Sequence, residues 1–299
     1  MPADAEVAAL LDRLPVLAGR PRTVTPLTGG LSNHSYRVAT PSLTAVLRIP
    51  AGDAGLLGID REHEYRNTLV AHAAGIGPPV LERLGGVTVL GWLPGRTLSA
   101  ADLRDPAVLD RVLAACRALH AGPRFAGDVD LASVQRRYRA ICAEHAFAVP
   151  PGYDDHRDAV ERLAAALAAA PEGTVPCHND LVPANILDTG ERVSFVDFEY
   201  AANSDPCFEL GTLAGAADLD AGEVAERYYG RSRPSRAARA RLYAILGHHT
   251  WALWAAIRAG SAGVDVDLTG WGRAQYERSA AALTSAALPD LLDAATRSD

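Results

Sequence analysis

The chain has no lysine: all 29 of its basic residues are arginine. That excludes chemistry built on a lysine amine, such as a Schiff base or the phosphate-cradling lysine of a Walker loop. Cysteine is sparse as well. Cys116, Cys142, Cys177 and Cys207 lie far apart with no CxxC pair, so they read as reduced thiols and not as a disulfide framework or zinc site. No uninterrupted apolar run approaches the ~20 residues of a membrane helix. Met1 to Leu11 carries Asp4 and Glu6 where a secretory leader would be basic and then apolar. Positive charge is not in excess either: the net charge is −7, which argues against a broad nucleic-acid or anionic-membrane surface. These absences lead us to expect a soluble, cytoplasmic protein that engages neither nucleic acid nor membrane.

What is present is enough apolar sequence for a real core, 48% hydrophobic over 299 residues, in one large domain or two lobes. The first ~90 residues read as mixed strand and helix. Strand-like runs cover Thr23 to Leu27, Ser35 to Val38 and Thr44 to Ile49, the first two flanking the small-residue turn Thr28-Gly29-Gly30-Leu31-Ser32-Asn33. A Gly-rich loop from Gly52 to Gly58 leads into a helical pattern over Ile59 to Ala74, stopped at Gly75, and a hairpin is expected around Gly85-Gly86. After Pro94-Gly95 the texture turns helical, as in Pro106 to His120 and Asp155 to Ala170. The exception is Thr174 to Tyr200, where short strands carry many polar residues. We therefore expect an α+β chain of two lobes, a small β-rich one over residues 1–93 and a larger, mainly helical one over residues 94–299.

The chemistry concentrates in Cys177-His178-Asn179-Asp180-Leu181-Val182-Pro183-Ala184-Asn185, followed by Val193-Ser194-Phe195-Val196-Asp197-Phe198-Glu199. A loop presents Asp180 as a base, and five residues on the Asn185 amide oxygen can reach a cation. A hairpin then returns a second carboxylate, Asp197, to the same point. Phosphoryl transfer from a magnesium nucleotide needs those parts: a positioned base, and oxygen ligands for Mg²⁺.

At these residues the sequence resembles the kinase-like phosphotransferases, in particular the choline/ethanolamine kinases and the aminoglycoside phosphotransferases. The likeness lies in His178-Asn179-Asp180-Leu181, in Val196-Asp197-Phe198-Glu199-Tyr200-Ala201 and in Gly29-Gly30-Leu31-Ser32-Asn33, and spans about Leu27 to Arg278. It implies a two-lobed protein-kinase-like fold with ATP and Mg²⁺ as cofactors. It implies Asp180 as catalytic base, His178 as support of the catalytic loop, and Asn185 and Asp197 as metal ligands. Gly29, Gly30, Ser32 and Asn33 would cover the nucleotide phosphates. Arg48 would stand where protein kinases have their phosphate-contacting lysine, offering a permanently charged fork. Its carboxylate partner would be Glu62 or Glu64, with the family pattern favouring Glu64. The hinge at Leu90, Trp92 and Leu93 would hold adenine. Asn179 and Glu199 replace residues that regulated protein kinases use, and little sequence separates Asp197 from a helix near Phe208. Both features suit a constitutive small-molecule kinase.

The same resemblance places acceptor-binding aromatics near the C-terminus. Trp251 and Trp254 fall three residues apart on one helix face, and Trp271 follows. Rings of this kind attract ammonium groups, and Glu199, Asp205 and Glu209 would add negative charge. Trp251 and Trp254 fit an amphipathic helix packing into the core equally well. We read His248-His249 and Cys177 as structural, and the Arg231 to Arg241 cluster as a solvated face. Three functions follow: a kinase for choline or a related amino alcohol, an antibiotic-inactivating O-phosphotransferase, or a non-catalytic nucleotide-binding module.

Overall fold

A computed structural model describes residues 4–27, 33–51, 54–170, 173–261, 267–297 and 299. Helix α1 (Asp4–Asp12) opens the chain and strands β1 (Thr23–Leu27), β2 (Asn33–Ala39) and β3 (Thr44–Pro50) follow it. Helices α2 (Ala54–Leu57) and α3 (Arg61–Ala73) intervene before the hairpin of β4 (Val80–Leu84) and β5 (Val87–Gly91). The five strands form one antiparallel sheet in the order β1-β2-β3-β5-β4. Side chains alternate across it. Ala45 and Leu47 enter a core with Tyr36, Val38, Val87, Val89 and the α1 residues Val7 and Leu11. Arg48, one position beyond Leu47, therefore faces the other side of the sheet.

Two local readings need comment. The segment read as a Gly-rich loop from Gly52 to Gly58 contains the short helix α2, whose Leu57 is buried against Tyr138 and Leu253 of the helical part. Tertiary burial supplies what a four-residue helix lacks in propensity. Helix α3 begins where Asp60 accepts hydrogen bonds from the Glu62 and His63 amides and ends at Gly75, which has φ +75°.

After β5 come β6 (Arg96–Thr97), α4 (Pro106–His120), α5 (Leu131–Glu144) and α6 (Arg157–Ala169), then the short strands β7 (Val175–Cys177), β8 (Ile186–Asp188), β9 (Val193–Phe195) and β10 (Ala202–Ser204). Strand β8 pairs with β6 and β9, and β7 with β10. Helices α7 (Pro206–Ala217), α8 (Ala221–Tyr229), α9 (Pro234–Ser261), α10 (Leu268–Leu283) and α11 (Leu288–Ala295) complete the chain. The 28-residue α9 is the spine, packing against α5, α7, α8, α10 and α11. Its contact with α7 is close: a Cβ at Gly211 would stand 2.7 Å from the Ala240 carbonyl oxygen. The Arg231 to Arg241 cluster is not uniformly solvated, because Arg239 is 1% exposed and bonds Asp205 at 2.5 Å. Among the described residues no helix is long and apolar enough to cross a membrane.

Candidate active site

Strands β7 to β10 exist to aim side chains. The loop leaving β7 carries His178, Asn179 and Asp180, and the turn before β8 carries Asn185. The side-chain nitrogen of Asn185 donates to the Asp180 backbone oxygen at 2.9 Å and to its Oδ2 at 3.1 Å, so carboxylate and carboxamide are locked together. His178 Nε2 donates to the Val196 carbonyl at 2.8 Å, tying the loop to the β9 exit just before Asp197. Burial lowers the His178 pKa, consistent with a neutral ring acting as a structural donor. Two non-glycine residues here occupy the left-handed region, Asn179 at φ +64° and Asp197 at φ +70°. Such conformations cost about 1–3 kcal/mol each and persist where surrounding bonds enforce them. Asn179 is held by Ser204 Oγ at 2.6 Å and by the Tyr200 carbonyl at 3.0 Å.

From the sheet, Arg48 reaches into the same region. Its guanidinium pairs with Asp197 and, at 3.1 Å, with Glu64, while Glu199 lies 4.0 Å away. Arg61 bridges Glu64 at 2.7 Å and Glu199 at 3.3 Å. Burial opposes the Arg48 charge, but the three carboxylates outweigh it and raise its pKa. Glu64 is thus the partner of Arg48, while Glu62 pairs with Arg66 and Arg83. Among the described residues Asp180 has no such cation. Burial, then the charges of Asp197 and Glu199, push its pKa well above the carboxylate range against the bond from Asn185. Asp180, Asn185, Asp197 and Glu199 all line one cleft of about 830 Å³.

The donor chemistry of this focus suits a hard divalent cation. Both Asn185 bonds use its nitrogen and leave Oδ1 available, and Arg48 engages only Oδ1 of Asp197. Two oxygen ligands with no nitrogen or sulfur in the set match Mg²⁺, which takes one or two protein oxygens plus phosphate and water.

Several residues expected at the acceptor lie elsewhere. Glu209 is fully buried beneath the loop: Oε2 accepts from the amides of His178 and, at 3.0 Å, Asn179, and Oε1 pairs with His120 Nε2 at 2.8 Å. Burial would raise its pKa, but the His120 bond and charge hold it below the usual range. Asp205 caps α7 at the Cys207 amide and pairs with Arg239. Neither lines the cleft. A helix entering the core needs its N-terminal amides and neighbouring loop amides satisfied, and these acids do that. Glu199 touches the cleft, but its carboxylate accepts from Asn33 Nδ2 at 3.1 Å and belongs to the arginine cluster.

The tryptophans do line the cleft, with Tyr200 and His248 added. Trp254 Nε1 donates to the Tyr200 hydroxyl at 2.9 Å, and its ring meets Trp271 edge-on at 5.8 Å. Trp271 is 42% exposed at the rim of the cleft, whereas Trp251 and Trp254 line the cleft and also pack against the core around Tyr138, Leu253 and Ile257. Tyr200 was legible only as a neighbour of Asp197 in the sequence. His249 is structural as expected, stacked 4.0 Å from Tyr153 with a pKa lowered to about 3 by burial, whereas His248 faces the cleft. Of the nucleotide-side residues, Leu90 and Asn33 share a small pocket with Arg48 and Glu64. Trp92 is exposed beneath Arg37, with its amide bonded to Thr44, and Leu93 is half-buried. Gly29, Gly30 and Ser32 lie outside the described residues.

An antiparallel sheet carrying an arginine fork, set over the loops of short strands β7 to β9 that present Asp180, Asn185 and Asp197, defines a kinase-like phosphotransferase that uses a hydroxyl acceptor. The model of the phosphotransferase enzyme family matches residues 23–256, and the chain belongs to that family. Among curated relatives, Protein LicA of Haemophilus influenzae is 30% identical over 64% of this chain, a match that spans only 57% of that protein. Probable choline kinase 2 of Arabidopsis thaliana is 25% identical, covering 88% of this chain and 86% of its own length. The solved choline/ethanolamine kinase family protein from Mesorhizobium loti superposes with a TM-score of 0.85 at 28% identity, covering 98% of each chain. A GDP and kanamycin complex of an aminoglycoside phosphotransferase shares the fold, with a TM-score of 0.71 at 16% identity, over 93% of this chain and 99% of that one.

Proposed function

We propose that the chain transfers the γ-phosphoryl of MgATP to a hydroxyl of choline or a related amino alcohol. The observation that carries this reading is the aromatic wall of Tyr200, Trp251, Trp254 and Trp271 in the cleft that also holds Asp180. An ammonium over such rings gains roughly 0.5–2 kcal/mol per ring. The names of the relatives, choline and ethanolamine kinases, support the same acceptor class.

In this mechanism Asp180 receives the proton of the acceptor hydroxyl as the phosphoryl group arrives in line. Arg48, held by Glu64, orients the phosphates, with Asn33 beside it. Leu90, Trp92 and Leu93 receive the adenine. Asn185 and Asp197 would hold Mg²⁺, which when bound supplies neutralising charge to the phosphates. His178 and Asn185 position the base. Catalysis is chiefly positioning and charge compensation.

A coupled ADP-release assay with choline, ethanolamine and a panel of hydroxylated antibiotics tests the reading. Acceptor-dependent ADP release with the amino alcohols is expected. Release with antibiotics alone would transfer the assignment to an antibiotic phosphotransferase.

A further inference from the structure

The cleft beside Asp180 is longer than a small amino alcohol requires, and its far end is polar. Helices α9 and α10 run antiparallel along it: Trp254 meets Trp271 at one end, and His248 Nδ1 bonds Gln275 Oε1 at 2.6 Å at the other. The six positions from Trp254 back to His248 rise ~9 Å along a helix. Nitrogen and oxygen of an ethanolamine unit stand at most ~4 Å apart, given ordinary bond lengths. A choline seated on the tryptophans with its hydroxyl at Asp180 therefore leaves the His248 end unfilled.

That end is built for hydrogen bonding. When Nδ1–H donates to Gln275, the neutral imidazole keeps a lone pair on Nε2, and Nε2 has no hydrogen-bond partner among the described residues. Burial lowers the His248 pKa, which favours the neutral ring. From α7, Gly215 leaves room at this nitrogen: a Cβ there would come within 3.1 Å of Nε2. The hydroxyl of Thr212, one turn earlier, is buried without a hydrogen-bond partner among the described residues, and Arg278 follows Gln275 along α10. All five residues line the cleft.

We propose that His248, held by Gln275 and opposite Gly215, is a specificity-determining residue that accepts a hydrogen bond from a second hydroxyl of the acceptor. The acceptor class is then an amino alcohol extended by a hydroxylated tail. This rests on the amino-alcohol reading above and narrows it.

The test is a comparison within one enzyme. N-methyl-D-glucamine joins an ethanolamine unit to a polyol tail, and 1-(methylamino)hexan-2-ol is the same skeleton without the extra hydroxyls. Wild type should show kcat/KM about 3–10-fold higher for the polyol, the range of one neutral hydrogen bond. In both His248→Leu and Gly215→Ala this ratio should fall toward one, through KM. A ratio taken within each variant is insensitive to any loss of folded enzyme. A wild-type ratio near one, or a ratio that survives both substitutions, overturns the subsite while ADP release with ethanolamine leaves the parent reading standing. No transfer to any of the amines overturns both.

Discussion

Glu209 offers the sharpest test, because its sequence context suggested an acceptor-binding acid and the structure makes it the anchor of the loop that carries Asp180. The perturbation is Glu209→Ala. It strands three buried donors: the amides of His178 and Asn179, and His120 Nε2. A buried donor left unpaired costs about 1–3 kcal/mol, so the loss should reach roughly 3–6 kcal/mol, less than a strict sum because the three share one partner. Against a total of roughly 5–15 kcal/mol that is a large fraction. Glu209→Gln keeps an acceptor oxygen for the two amides and should lose less than half as much. Urea denaturation followed by circular dichroism reads both. The sign with pH is also fixed. The native pKa lies below the ordinary 4.5, so the charged form contributes stability that is present above that value. It disappears as pH falls through the lower native value. Wild type should weaken over that acidic window, and Glu209→Gln should respond less. A Glu209→Ala protein within about 1 kcal/mol of wild type, or a variant of normal stability with only a raised KM for cationic acceptors, would refute this reasoning.

Other expectations follow from the same geometry. Asp180→Asn should lower turnover by roughly 10²–10⁴ with little change in nucleotide KM, since it removes the proton acceptor and keeps the Asn185 contact; steady-state kinetics would detect the contrary. Trp254→Ala should raise KM for choline by roughly 2–30-fold, the equivalent of one cation–π contact of 0.5–2 kcal/mol, and leave nucleotide KM unchanged. Gly211→Ala places a methyl 2.7 Å from a backbone oxygen of α9. It should cost about 1–3 kcal/mol in a denaturant titration, because neither helix can yield as a side chain would. Arg239→Ala leaves Asp205 buried without its cation and should cost about 3–5 kcal/mol in the same titration.

Much of this molecule was readable along the chain. The hairpin at Gly85-Gly86 and the helix from Pro106 to His120 follow from turn chemistry and periodicity, which act between near neighbours. The spacing of Asp180, Asn185 and Asp197 is equally local, because one loop and one hairpin carry all three to the same cleft. The loop read from Gly52 to Gly58 went the other way, since burial of Leu57 against distant side chains organises α2.

The acids show where local reading stops. Asp197, Glu199, Asp205 and Glu209 look alike in sequence, and the last three were assigned to the acceptor only as negative charge near the aromatics that the resemblance implied. Only packing separates their roles: Arg48 and Arg61 claim Glu199, Arg239 claims Asp205, and backbone amides with His120 claim Glu209. His248 and His249 are adjacent, yet one ring stacks inside the core and the other borders the cleft, because successive helical residues point about 100° apart. The sequence by itself determined which chemical groups exist and how nearby ones are spaced. Which carboxylate meets a cation, an amide or open space depends on partners that stand from 30 residues away in the sequence (Asn179 to Glu209) to 149 (Arg48 to Asp197), and tertiary structure alone decided that.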